Sequence, residues 1–460
     1  MRGQWVFPRA QCSLSPRTPK PVATLQPRTS YQGYHRLRTQ RATTIHTSTP
    51  SPRINQPQFP FKQYPTIPNL RRQTRTLITT TLPPILIPPT IFLGLLLALW
   101  TWKCLWIVLL QDKLLYLAWL PPLSRSEKIE DYERECRPVQ WTETQIRSLD
   151  GTKLSVCEGR LPRPADRPRP RPRRKVVICY FQGNGGSTPL RLPLLSQTLR
   201  ALSRAPAGLE GKVETEYIVV ALSYRGYWTS SGRASQRGIE RDAQAFLGWV
   251  RSTYVARVSS TEGRDVDGEV KVVLWGHSLG AAVASTALAT HLSVGGAGEV
   301  AAGENAGTGQ EGESAAALPI TGLVLEAPSS SVKEMLISLY PQRWLPYRYL
   351  WPFLWNHWDG VAALRRMGAW RDEAVRKGAV GDAASMHQES GKKRSLPPIL
   401  LLTAEKDEVI PPEAAAQLEE EAKKLGIEMV RTDVPGAMHT EAPVRPVGRK
   451  ALVEFIWARS

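Results

Sequence analysis

VKVVLWGHSLGAAVASTALAT, residues 270–290, holds a strand, a turn and a helix in one stretch. Val270 to Trp275 is a short β-branched run with the length of a buried strand, and Ala281 to Thr290 is a small-residue run that favours helix. Between them stands Gly276-His277-Ser278-Leu279-Gly280. A serine on so sharp a turn is held in a strained backbone conformation, and glycine on either side lets strand and helix approach. Gly-x-Ser-x-Gly in this strand–turn–helix context is the setting of an exposed nucleophilic serine.

Serine alone is a poor nucleophile, so a base and an orienting acid should follow in the chain order Ser, Asp or Glu, His. Four histidines follow Ser278: His291, His357, His387 and His439. His291 falls within or just after the helix, and His357 and His387 lie in a region that reads as an inserted cap. His439 follows the last expected strand, in the loop Pro435-Gly436-Ala437-Met438-His439 before a C-terminal helix, and is the candidate base. Asp407 stands just past the strand PILLL, in a loop at a strand's carboxyl end, where catalytic groups collect in such sheets. It would hold the imidazole tautomer and stabilise the imidazolium. Glu405 and Glu408 are expected to face solvent, and Glu326, ending the strand LVLE, is the rival acid. Acyl transfer also needs two backbone donors for the developing oxyanion. Leu279 supplies one; Asn184, in Gln182-Gly183-Asn184-Gly185-Gly186-Ser187 after the strand VVICYF, is the candidate for the other.

Outward from this core, Thr144 to Leu149 and Thr152 to Val156 flank Asp150-Gly151, a two-residue hairpin signal. Apolar runs recur at Val176 to Phe181, Tyr217 to Leu222, Val270 to Trp275, Leu323 to Leu325, Ile399 to Leu402 and Ile427 to Val430, with room for helices between them. The expected fold is α/β: a hairpin feeding a mostly parallel sheet covered by helices on both faces. Leu161 to Arg174, Ser259 to Gly268 and Gly295 to Ala317 read as surface loop insertions.

The chain has 460 residues with 60 Lys and Arg against 41 Asp and Glu, a net charge of +19. Residues 1–111 hold 14 Lys or Arg and no acid, which leaves only +5 for residues 112–460. The basic excess therefore sits in a Pro/Ser/Thr/Gln-rich tail and not on the globular part, which argues against a nucleic-acid partner. Residues 1–75 are too poor in branched apolar side chains to bury a core and are expected to be disordered, as a plain basic tail or a targeting segment. Five cysteines without a CxxC pair give neither a zinc ribbon nor a disulfide framework.

Residues 76–111 read as a transmembrane anchor. A helix from about residue 90 to residue 110 is roughly 20 residues and spans about 30 Å, the thickness of a bilayer core. IFLGLLLALWTWKCLWIVLL is apolar all round, Trp100, Trp102 and Trp106 gather toward one interface, and Lys103 can snorkel. Arg71, Arg72 and Arg75 favour an N-terminus on the cytoplasmic side, a bias that Lys113, Arg125 and Lys128 weaken. The expectation is a single-pass membrane protein of mitochondria or the endomembranes, with a catalytic domain over 112–460.

These residues together resemble the alpha/beta-hydrolase superfamily, in particular its membrane-anchored eukaryotic abhydrolase-domain branch, over roughly residues 110 to 460. Tyr224-Arg225-Gly226-Tyr227, then Gly232, Gly238 and Asp242-Ala243, look like that branch's loop and helix after the fourth strand. The resemblance implies a Ser278, Asp407, His439 triad that hydrolyses an ester or thioester through an acyl-enzyme, a route that needs no metal or organic cofactor. Two positions depart: Gln182 stands where histidine is common before the oxyanion glycine, and Trp228 where glycine usually follows.

Ser329 to Leu396 is too long for a plain connection and is expected to form a cap, dense in Tyr340, Trp344, Tyr347, Tyr349, Trp351, Phe353, Trp355 and Trp358. Aromatics beside a membrane anchor suit a lipid-like acyl ester presented from the bilayer. Two other readings compete: a catalytically silent membrane-bound scaffold, and an esterase of broad small-molecule range.

Overall fold

Runs of Val, Ile and Leu without alternation are what a sheet buried on both faces requires. In a computed structural model of the chain they form one. Residues 83–162, 174–204, 215–255, 269–304, 318–381 and 395–460 are described, and all fall in the unit Thr76–Ser460. The expected tail 1–75 and the insertion 259–268 lie outside the described residues, as do residues 163–173 and 305–317 of the other two insertions.

Eight strands make the sheet: β1 (Gln140–Arg147), β2 (Lys153–Arg160), β3 (Arg174–Phe181), β4 (Thr215–Ser223), β5 (Glu269–His277), β6 (Ile320–Glu326), β7 (Ile399–Ala404) and β8 (Met429–Val434). Their order is β1-β2-β4-β3-β5-β6-β7-β8. The pairs β1/β2 and β2/β4 are antiparallel and the rest are parallel. The expected hairpin and parallel sheet are present. The last strand begins at Met429 and not at Ile427, which turns inward to the core before pairing starts. Register aligns the strand ends: Phe181 pairs with Gly276, Gly276 with Leu325, and His277 with Glu326. The loop after β3, the serine turn and Glu326 therefore share one edge of the sheet.

At the N-terminal side, α1 (Ile87–Leu109) precedes the short α2 (Gln111–Leu115) and α3 (Glu133–Cys136). Among the described residues α1 is one helix long and apolar enough to cross a membrane; none of its side chains is fully buried, and Trp100, Cys104, Ile107 and Val108 are half-buried. It begins at Ile87, three residues before the expected start. Pro88 and Pro89 fall in its first turn, where a missing N–H breaks no helical bond.

The remaining helices are α4 (Leu192–Leu202), α5 (Gln236–Val250), α6 (Leu279–Glu304), α7 (Val332–Leu339), α8 (Gly360–Gly381), α9 (Pro412–Lys424) and α10 (Pro446–Trp457). On one face, Leu195 and Leu199 of α4 and Leu452 and Ile456 of α10 pack on Tyr180 and Trp275. On the other, Phe246 of α5, Ala284 of α6 and Leu364 of α8 pack on Val177, Leu274 and Leu323. α6 continues through Glu304, past Gly295 where a loop was expected.

Within 329–396 the chain does two things. An isolated bridge between Ser331 and Asp359, with Val332 N–H on Trp358 O and Gly360 N–H on Ser330 O, draws together the ends of the aromatic stretch 332–358. The helix α8 that follows places Ala363, Leu364 and Met367 in the main core, so it covers the sheet.

Candidate active site

Ser278 sits between β5 and α6 with φ +52°, a left-handed backbone that costs a residue with a Cβ. What holds it there is the register below: Ser278 N–H donates to Glu326 O at 2.8 Å and Ala281 N–H to Ser278 O at 3.0 Å. The two motif glycines are required by space. A Cβ at Gly276 would run into the Gly280 carbonyl oxygen, and one at Gly280 into the carbonyl of Phe181 on the neighbouring strand.

Asp407 follows β7 and His439 follows β8, and the structure brings them into contact. His439 Nδ1 lies 2.9 Å from both Asp407 oxygens. A carboxylate accepts, so Nδ1 carries the hydrogen, and in the neutral imidazole Nε2 has the lone pair. Asp407 is itself fixed by the N–H groups of Val409 and Ile410, at 2.9 and 2.8 Å on Oδ1. Glu405 and Glu408, expected only to face solvent, hold the histidine loop: Glu405 accepts from Gly436 N–H at 2.7 Å and Glu408 from His439 N–H at 3.0 Å. Among the described residues no hydrogen bond joins the Ser278 hydroxyl to His439. The histidine lies over the serine turn all the same, its ring centroid 5.0 Å from that of His277.

His277, which the sequence leaves without a role, and Glu326, read there as the rival acid, form a buried layer beneath the turn. Arg191 donates to His277 Nδ1 at 3.2 Å. A guanidinium cannot accept, so His277 carries its hydrogen on Nε2, directed at His439 O at 3.3 Å. Burial, then the Arg191 charge, hold this imidazole well below the usual histidine range. Glu326 is pushed up to about 8 by burial. Its Oε2 accepts from Trp275 Nε1 at 2.9 Å, and its Oε1 lies 3.8 Å from His277 Nε2. Glu326 thus lies beneath the Ser278 turn, and the acid in contact with His439 is Asp407.

In the loop after β3, Gly186 N–H donates to Leu120 O at 2.6 Å. The Asn184 amide has no acceptor among the described residues, and Leu279, as the first residue of α6, has none within its helix. The Asn184 side chain faces the other way, its Oδ1 taking Leu117 N–H at 2.7 Å and the Tyr227 hydroxyl at 3.3 Å. The connector from α1 therefore lies on this loop. Gln182 is buried, accepts from Thr188 Oγ1 at 2.8 Å and leaves its Nε2 without an acceptor. Trp228 has φ +40°, which is why glycine suits that position, and is held there by its indole N–H on Glu127 O at 2.7 Å. Among the described residues no group of three His, Cys, Asp or Glu is placed to hold a metal ion.

A parallel sheet with a strained serine after its fifth strand and an aspartate–histidine pair after its last two defines a class. The chain belongs to the alpha/beta hydrolase family, whose model matches residues 183–448. It is 21% identical over 241 residues to protein bem46 of Schizosaccharomyces pombe, covering 52% of this chain and 54% of that one. It is 27% identical over 237 residues to the lysophosphatidylserine lipase ABHD12 of Danio rerio, covering 51% and 44%. The match thus spans about half the length of these relatives. A solved esterase of Pyrococcus furiosus aligns with 72% of this chain and 93% of its own at 15% identity, with a TM-score of 0.39.

Proposed function

We propose that this alpha/beta hydrolase is a membrane-anchored serine hydrolase that cleaves carboxylic esters, or thioesters, of lipid-like acyl groups. The observation that carries the reading is His439 Nδ1 clasped by both oxygens of Asp407, which frees Nε2 as a base above the strained Ser278 turn. Ser278 Oγ attacks the acyl carbon while its proton passes to His439 Nε2. The oxyanion takes the N–H groups of Asn184 and Leu279. Collapse breaks the ester bond, His439 gives the proton to the departing alcohol or thiol, and water repeats the sequence to release the acid. The lack of a hydrogen bond between serine and histidine among the described residues fits a resting site, since such bonds tighten when substrate binds.

The lipid-like substrate is supported by the exposed apolar helix α1, by the aromatic stretch beside it, and by relatives named for lysophosphatidylserine lipase activity. Fluorophosphonate labelling of the detergent-solubilised chain, with nitrophenyl esters of rising chain length, tests it. Wild type should label and prefer long chains, Ser278→Ala should not label, and Asp407→Asn should lose about 10⁴ in kcat. A folded wild type that does not label sinks the catalytic reading and leaves a scaffold. Activity that falls with chain length leaves a small-molecule esterase.

A further inference from the structure

Residues 335–358 contain eight aromatic side chains and no acid. A folded domain buries such a stretch or faces it to something apolar. Here Trp344 is 67% exposed, Phe353 64%, Tyr349 54% and Trp351 42%. Most of the stretch packs on α1, and only at its end does Trp358 enter the main core over the sheet. Leu336, Tyr347 and Leu350 form a small core with Trp100, Cys104, Ile107 and Val108. Trp100 and Trp344 rings lie 6.0 Å apart, and the Lys103 ammonium sits 4.2 Å from the Tyr347 ring centroid. Gln111 and Asp112, just past α1, bind Asn356 and the backbone and indole N–H of Trp355.

Length fixes what this contact means. α1 from Ile87 to Leu99, before the contact begins, is about 20 Å long at 1.5 Å per residue, and a bilayer core is about 30 Å thick. If α1 spans, the apolar layer must extend into the Trp100–Leu109 stretch, the level at which the aromatic segment packs. Its outward rings then lie in the interfacial zone that Trp and Tyr prefer. The outward charges there are mostly cationic: Arg343 is exposed, Arg348 lies over Tyr349, and the Lys333 ammonium lies 4.5 Å from the Trp351 ring centroid, while Glu334 is half-buried and Asp112 is bonded to Trp355 and Asn356. Cations at headgroup depth attract anionic lipid.

We propose that residues 336–355 are a bilayer-docking surface, seated in the headgroup and upper acyl layer of an anionic membrane and clamped to the anchor by Gln111 and Asp112. This rests on the membrane-anchored reading above. It sets how deep the domain sits and on which side substrate lipid meets it.

The test is tryptophan quenching in the full chain, reconstituted into vesicles of phosphatidylcholine with and without phosphatidylserine. Brominated acyl chains quench from the lipid side and iodide from the water. Trp102→Leu reports α1, and Trp344→Leu with Trp351→Leu reports the segment. Loss of bromolipid-quenchable emission in both, with iodide quenching unchanged, is the expected result, and Arg343→Glu with Arg348→Glu should abolish any extra quenching gained with phosphatidylserine. If Trp102 is quenched from the lipid while removing Trp344 and Trp351 lowers only the iodide-quenchable emission, the docking surface is overturned and the anchor stands. If Trp102 is not quenched from the lipid, anchor and docking fall together. Neither outcome depends on turnover, so Ser278→Ala should give the wild-type pattern and keep the hydrolase question separate.

Discussion

Glu326 ends β6 with no exposed surface, and its proton ties the serine turn to pH. Burial raises it from an ordinary 4.5 to about 8. Between those values the unfolded chain has lost the proton and the folded chain keeps it, so this group's contribution to stability is full below 4.5 and is lost as pH rises through about 8. Glutamine keeps the acceptor for Trp275 and removes the titration. Glu326→Gln should therefore gain melting temperature relative to wild type as pH rises from about 5 to about 9; a difference that stays constant across that range would refute the assignment. The residues of the site divide by how the chain advertises them. Ser278 is marked by a local motif, and Asp407 and His439 by their places after successive strands, all readable along the sequence. Arg191 and His277 are not, because what joins them is register across β3, β5 and the turn into α4, contacts between residues 86 apart. Glu405 and Glu408 read as solvent-facing because an exposed carboxylate in a sequence gives no sign of its backbone partner.

At the scale of elements, the alternation of apolar runs with helix-length gaps made the sheet legible, since a strand buried on both faces has no other composition open to it. Ends were less so. Ile427 reads as strand by its side chain but is core packing, and α6 outruns Gly295 because a helix nucleated by the packed Ala281, Ala284 and Leu288 propagates cheaply into poorer helix formers. What no local pattern gives is the connector after α2 resting on the loop after β3. Asn184 makes that joint with its side chain, while its amide is the proposed oxyanion donor. Asn184→Ala should leave Leu117 N–H unpaired, loosen the connector and lower kcat/KM about fivefold, the worth of one hydrogen bond of about 1 kcal/mol. Asn184→Asp, which keeps the acceptor, should restore it. Hydrogen exchange over residues 116–123 should rise in the alanine variant alone; an unchanged connector, or an aspartate as poor as alanine, would remove the side chain from this role.

At the scale of the whole molecule, the apolar helix and the hydrolase domain are joined by a buried polar knot and not by a flexible tether. Asn356, almost wholly buried, takes the Tyr116 hydroxyl on Oδ1 at 2.7 Å and gives its amide to Asp112 at 2.6 Å and Gln111 at 3.2 Å. Trp358 Nε1 donates to the same Tyr116 hydroxyl at 2.8 Å. The partners come from two distant stretches: Gln111, Asp112 and Tyr116 just past α1, and Asn356 and Trp358 at the neck of the aromatic excursion. A buried network of this kind is costly when one member goes, because the others keep their desolvation without their bonds. Asn356→Ala should therefore cost about 2 kcal/mol. Its signature is regional: exchange should quicken together in residues 111–123 and 336–358 while the β3, β5 and β6 amides hold their protection. The proposed Ser278 site should keep its fluorophosphonate labelling in detergent yet lose preference for substrate presented in vesicles. Uniform quickening across the sheet would mean that Asn356 supports only the general fold, and that helix and domain are free to turn about one another.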